Sequence, residues 1–264
     1  MRIAVCVKQV PDTEARLRIG KDGRWIEEED LPFVISESDE YALEEALRWT
    51  EKLGGEVVVF SLGPERTKEA LRKTLALGAA RAVHLKDPAF FGGDAISTGL
   101  ALSTALKRES FDLVLTGSQS DDVGYGGTGS VIAGHLGWPH AWLVMGVEIE
   151  EGGGTARVVR EMESGMNEVV RLALPAVLEV QAGINTPRYP SLKGIMAAKK
   201  KPIDEVTVGD LALDPVTVGA AGARIEVVSV GFPQSSAGAE MISGDAATAA
   251  KTLVAKLQRE ARVL

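Results

Sequence analysis

The chain has 264 residues, 45% of them hydrophobic, a formal charge of −8 and a single cysteine. That length holds one large α/β domain with appendages, and the acidic balance argues against a nucleic-acid surface. A lone cysteine excludes an internal disulfide, and with only three scattered histidines, His84, His135 and His140, no metal site is expected.

No apolar run approaches the roughly 18 residues of a membrane span, so no direct membrane insertion is expected. Arg2 leads straight into Ile3-Ala-Val-Cys-Val7 without a signal-peptide pattern, which places the chain in the cytoplasm as an expectation. Residues 2–8 show no alternation and read as a strand buried on both faces of a parallel sheet. Cys6 lies inside it, where a small inert core residue is the ordinary reading. Residues 13–35 are polar and irregular, with a hairpin expected around Lys21-Asp22-Gly23.

Ser36-Glu37-Ser38-Asp39 reads as a helix start, with a capping serine and acids in the first turn. The helix stripe runs through Ala42, Leu43, Ala46, Leu47, Thr50 and Leu53 and stops at Gly54-Gly55. Glu56–Leu62 is a second buried strand. Gly63-Pro64 is expected to start the next helix, with Pro64 at its tolerated first position. Arg81–Leu85 is a third strand, and Asp94 caps a helix that runs to Lys107.

Next comes FDLVLTGSQSDDVGYGGTG, residues 111–129. It reads as a buried strand, a polar glycine-rich loop, and then a helix starting near Thr128. Such a unit can cradle a phosphate on backbone N–H groups and a helix dipole, with Gly126, Gly127 and Thr128 nearest the anion. A tight connection with no ligand is the competing reading. Gly124, Gly126 and Gly129 also match GxGxxG, but that dinucleotide fingerprint should directly follow the first strand, so a different nucleotide architecture fits better.

After Pro139, alternating segments at Val144–Glu150, Thr155–Glu163 and Met166–Leu174 read as antiparallel hairpins, and Pro175–Val180 as one more strand. Residues 181–203 carry Pro187, Pro190 and Gly194, then exposed-looking Leu192, Ile195 and Met196 and the run Lys199-Lys200-Lys201. Either an ordinary linker with a solvated charge run or a docking segment fits. A tail over 204–240 with one strand at Ile225–Val230 precedes a last helix capped by Asp245. The fold expected is α/β, a doubly wound, mainly parallel sheet with an antiparallel hairpin addition and an extended arm. Its parts are a nucleotide-binding domain over 1–183, a docking segment over 184–203 and a C-terminal arm over 204–264. No GxSxG, HExxH or GxxxxGK[ST] occurs, and no nucleophile–base set is legible, so no catalytic residue is expected.

The matching blocks are Val7–Asp12, Ser36–Leu47, Leu113–Gly117 with Gln119 and Thr128-Gly129, and above all Asn185–Leu192 (NTPRYPSL) with Ile195-Met196 and Ala198–Ile203. Over nearly its full length the chain resembles the small (beta) subunit of electron-transfer flavoproteins. The resemblance implies a heterodimer with a larger alpha subunit that binds most of the redox FAD, while the small subunit holds a structural AMP. It implies electron transfer from acyl-CoA or other soluble dehydrogenases to a membrane quinone reductase, without a catalytic centre in this chain. The implied AMP site is Cys6, Ser36, Glu37, Ser38, Asp39, Leu62, Gly117, Ser118, Gln119, Ser120, Asp121, Asp122, Val123, Gly124, Tyr125, Gly126, Gly127 and Thr128. Glu161 is implied to meet an alpha-subunit arginine near the flavin, and Leu192, with Ile195 and Met196, to anchor a dehydrogenase. The arm would embrace the alpha subunit. The alternatives are a bifurcating small subunit with FAD in the AMP pocket and a stand-alone nucleotide-binding regulatory protein.

Overall fold

A computed structural model describes residues 1–150, 152–233 and 238–264. The tail expected over 204–240 therefore lies partly outside the described residues. The first strand, β1 (Arg2–Cys6), sends Ile3 and Val5 into one core and Ala4 and Cys6 into another, so both faces are buried. It ends at Cys6, two residues short of the strand expected over 2–8. Residues 9–11 form a separate short strand, β2 (Gln9–Pro11), paired antiparallel with β3 (Phe33–Ile35). Between them a turn at 21–25 is closed by an antiparallel bridge from Ile19 to Ile26, as the Lys21-Asp22-Gly23 pattern implies.

Helix α1 (Glu37–Leu53) follows, then β4 (Glu56–Leu62) and α2 (Thr67–Leu77). Helix α2 begins three residues beyond Pro64, which lies in the preceding turn. Next come β5 (Arg81–Leu85), α3 (Ala95–Leu106), β6 (Leu113–Gly117) and α4 (Thr128–Leu136). The Asp94 cap of α3 is a full capping box with Ser97.

β7 (His140–Ile149) starts earlier than expected. Its first half adds in parallel to a later strand, and a register shift between Val144 and Gly146 turns its second half over to an antiparallel partner. The hairpins are completed by β8 (Thr155–Glu161) and β9 (Asn167–Ala173), and β10 (Ala176–Val180) returns to the sheet centre.

Stretch 184–203 contains a short helix, α5 (Leu192–Ala198), capped by Ser191, with Gly194 inside it. A Cβ at Gly194 would run into the Ala76 carbonyl, so the glycine allows α5 to lie close on α2. An unexpected strand, β11 (Ile203–Val206), pairs in parallel with β5. The tail adds the short α6 (Gly219–Gly222) and α7 (Ala246–Lys256), the latter capped by Asp245. The strand expected at 225–230 does not form. Arg224 N and Ile225 N donate instead to the Asp94 carboxylate, and Val230 N to the Gly23 carbonyl.

Among the described residues the main sheet has nine strands in the order β11-β5-β4-β1-β6-β10-β7-β8-β9, parallel up to β7. Helices α1 and α2 share one core with it, and α3 and α4 share the other, which is the doubly wound arrangement. The order reverses between β1 and β6, and the crevice at such a switch point is where ligands of this fold class sit.

Candidate functional site

The carboxyl ends of β1, β4 and β6 open into a cavity of about 1190 Å³. Cys6, Asp39, Leu62, Gly117, Ser118, Gln119, Ser120, Asp122, Val123, Tyr125, Gly126, Gly127 and Thr128 line it. Four distant segments expected to converge therefore do so. Ser36, Glu37, Ser38, Asp121 and Gly124 do not line the cavity.

Several of these form the layer that holds the loop in place. Ser36 does not cap its own helix. Its Oγ accepts from Asp121 N at 3.2 Å, and Asp121 Oδ2 accepts from Glu37 N at 2.8 Å, so the loop supplies the capping carboxylate to α1. Asp39, in the same first turn, accepts from Lys8 N and Gly117 N, both at 2.7 Å, and so ties the end of β1 to the end of β6. A Cβ on Gly117 would lie 2.6 Å from Asp39 Oδ1 and 2.7 Å from Ser38 Cβ, so only glycine permits this approach.

The charges are arranged around Lys8. Its ammonium reaches Asp122 at 2.7 Å and Ser120 Oγ at 3.4 Å. Burial works to raise the Asp122 pKa, but the Lys8 charge and the hydrogen bonds from Lys8, Ser120 and Val123 hold it below the usual carboxylate range. Burial pushes Asp39 the other way, up to about 7, only partly offset by its two backbone donors and by the Lys8 charge. Burial also pushes the Cys6 thiol up, with the nearby Asp39 carboxylate adding to it, so Cys6 is an inert wall residue. The paired acids Asp121 and Asp122 thus serve capping and ion pairing.

Helix α4 enters the cavity differently from α3. Its N-cap is Gly127, and no side chain caps its first turn. Gly127 and Thr128 line the cavity, so the positive end of this helix faces it. Beneath that turn, Glu179 on β10 is fully buried and accepts at Oε1 from Ser130 Oγ at 2.6 Å, with His140 Nε2 at 2.7 Å.

Sequence reasoning missed Lys8, Arg66, Phe90, Phe91, Asp94, Thr98 and residues 223–227 as lining. Lys8 had a legible signal, since it follows the strand whose end was already placed at the site. Asp94 and Thr98 belong to the start of α3, which the sequence places without showing that it faces the cavity, and the rest lie in irregular segments and a short turn that no local pattern assigns to the site.

The remaining candidates lie elsewhere. Glu161 ends β8, exposed, opposite Asn167 and next to the exposed Met162 and Met166. Leu192 and Met196 are 84% and 64% exposed and Ile195 42%; Tyr189, not singled out before, is 95% exposed. Of the expected charge run, Lys199 and Lys200 face solvent, but Lys201 turns inward and donates to the Leu75 and Ala79 carbonyls at 3.0 and 2.6 Å. Among the described residues, no group of three His, Cys, Asp or Glu is placed to hold a metal, and no helix is long and apolar enough to cross a membrane.

Fold and cleft together define a doubly wound α/β protein with a glycine-lined cavity at its switch point. The electron transfer flavoprotein domain model matches residues 24–211. The chain is 42% identical over 246 residues to the electron transfer flavoprotein subunit beta of Methylophilus methylotrophus, covering 92% of this chain and 93% of that one. Identity to the subunit beta of Thermoanaerobacterium thermosaccharolyticum is 38%, over 97% and 98% of the two chains. It is also 38% to the caffeyl-CoA reductase-Etf complex subunit CarD of Acetobacterium woodii, over 98% and 99%. The chain belongs to the electron transfer flavoprotein family, among the beta subunits, and so to the flavoproteins of electron transport.

Proposed function

We propose that this chain is the small subunit of a heterodimeric electron-transfer flavoprotein and holds an AMP in the cavity at the strand ends. The observation that carries this reading is the uncapped first turn of α4, which faces a glycine-lined cavity with Lys8 at its edge. A phosphate there would meet free N–H groups and a positive helix end at Gly126, Gly127 and Thr128. Cys6, Leu62, Asp39 and the loop from Gly117 would enclose the rest of the nucleotide. Capping by Asp121 and the Asp39 bridge fasten that loop to α1 and to the end of β1.

The larger alpha subunit would bind most of the FAD, with Glu161 and the arm over 204–264 contributing to their contact. The bound flavin supplies the electron chemistry, between soluble dehydrogenases such as acyl-CoA dehydrogenases and a membrane quinone reductase. This chain's part is to position and dock. Segment 184–203 presents Leu192, Ile195 and Met196 as an apolar anchor, with exposed Lys193, Lys199 and Lys200 at its flank. Such an exposed apolar cluster on a pinned segment marks a protein-binding surface.

A second reading is favoured by one dimension of the site. At about 1190 Å³ the cavity exceeds the roughly 1,000 Å³ upper end typical of single small-molecule sites. FAD could then occupy it in place of AMP, as in a bifurcating complex, and the likeness to a subunit named for a reductase complex points the same way.

The test is to purify the chain with its alpha partner, release the nucleotides with acid and quantify them. Equal FAD and AMP supports the carrier. Two FAD per heterodimer without AMP moves the function to bifurcation. A chain that takes no partner and no flavin is a stand-alone nucleotide binder, and the proposal fails.

A further inference from the structure

One wall of the cavity comes from a part of the chain that sequence reasoning assigns wholly to the arm. Residues 223–227 line it together with Phe91, Gly92, Gly93 and Asp94. They belong to no helix or strand, and Ile225 and Val227 remain 49% and 36% exposed, so apolar burial alone holds them weakly.

Three sets of polar contacts fasten this strap. Arg224 N and Ile225 N both donate to Asp94 Oδ2, at 2.6 and 3.2 Å. Arg24 pairs with Glu226 at 3.2 Å, and Val230 N donates to the Gly23 carbonyl at 2.7 Å. The strap is thus fixed on one side to α3 and on the other to the loop at 21–25. The Asp94 carboxylate is divided between two tasks. Its Oδ1 accepts from Ile96 N and Ser97 N, at 3.0 and 2.9 Å, and caps α3, while Oδ2 holds the strap. Asp94 is buried, so its bonds to the strap are charge-assisted contacts shielded from water.

We propose that residues 223–230 are a retaining wall of the nucleotide site and that Asp94 is the residue that positions it. This rests on the nucleotide reading of the cavity. A bound nucleotide leaves when the strap detaches and enters by the same route, so a weaker strap should speed release and entry alike.

The test uses the full chain with its alpha partner, loaded with labelled AMP and chased with unlabelled AMP; FAD replaces AMP if acid release shows that FAD is what the cavity holds. Asp94→Asn keeps a carbonyl oxygen for the α3 cap, where asparagine serves as well as aspartate. It offers the strap an amide group that cannot accept. Release should become about tenfold faster or more, the order expected for losing one to two charge-assisted hydrogen bonds, and entry should become faster as well. Arg24→Glu or Glu226→Arg alone should speed release by a smaller factor, and the two combined should restore it. That rescue is not expected of a substitution that merely loosens the fold. Release unchanged in every variant overturns the proposal. So does acceleration by Asp94→Asn that only tracks a lower unfolding midpoint, with no rescue in the charge swap. If the wild-type chain holds neither nucleotide, the reading of the cavity falls first, before any variant is made, and the strap proposal falls with it.

Discussion

Arg188 lays its guanidinium against both oxygens of Glu44, with Nε to Oε2 at 2.8 Å and Nη2 to Oε1 at 3.1 Å. Glu44 is a buried residue of α1, and Arg188 opens the docking stretch. The same guanidinium also bonds Glu51, two turns further along the same face of α1, and Asn185 donates to Glu45 and to the Tyr41 carbonyl. The docking segment is therefore pinned to α1 by a bidentate fork that lysine could not reproduce. Replacing Arg188 by methionine leaves a buried carboxylate without its partner. The expected cost is about 2 kcal/mol, read as a fall in the urea unfolding midpoint. Proteolysis near Tyr189 should also become faster.

Leu192→Ala tests the docking surface in the opposite way. The side chain is 84% exposed, so its loss should change stability by less than about 0.5 kcal/mol. If Leu192 fills a partner pocket, the rate of flavin reduction by the dehydrogenase at limiting concentration should fall about tenfold or more. Flavin content should stay the same. Unchanged reduction kinetics would remove Leu192 from the interface.

Gly117→Ala tests the proposed nucleotide site through its packing on α1. The added methyl meets Asp39 Oδ1, Ser38 Cβ and Asp39 N, all within 3.0 Å, and two of these are fixed by the α1 backbone. The end of β6 must move away from α1, at a cost of about 1–3 kcal/mol. The Gly117 N to Asp39 bond should break with it. Calorimetric titration with AMP should show weaker binding, and an unaltered affinity would mean that the bridge is dispensable.

The elevated Asp39 carboxyl makes a prediction about pH. Its folded value is about 7, above the ordinary aspartate value of 3.8. Across that interval the folded chain holds more protons at this site than the unfolded chain. Asp39's contribution to stability therefore falls as pH rises from about 4 towards 7 and stays low above it. Unfolding free energies for the wild type and Asp39→Asn at pH 5 and pH 8 isolate this slope. The wild type should lose more stability than the variant on going to pH 8, whatever the variant's absolute stability.

What was legible in the sequence was local. The buried runs at Arg81–Leu85 and Leu113–Leu115 and the Asp94 cap of α3 each carry their cause within a few residues and form where their patterns place them, the second strand running on to Gly117. Elements that depend on a remote partner were not legible. Ile203–Val206 is too short and too polar to announce a strand, and it becomes one because β5 offers an open edge. Ile225–Val230 has the better strand composition and forms none, because Asp94 and Gly23 take its backbone donors. At the site, the glycine loop was legible from spacing, but the carboxylate that caps α1 lies 84 residues from the N–H it serves. Only the folded chain brings the two together.

The docking stretch leaves the sheet at β10 and re-enters it at β11, two strands separated by four others. A stretch of chain with both ends held in one sheet, and with Arg188 and Asn185 fixed in between, has already surrendered most of its conformational freedom before any partner arrives. Little further ordering would accompany contact, so little affinity would be lost to it. If Leu192, Ile195 and Met196 do take a partner, a segment held this way would present them ready-made, with its shape set by the fold and not by the partner.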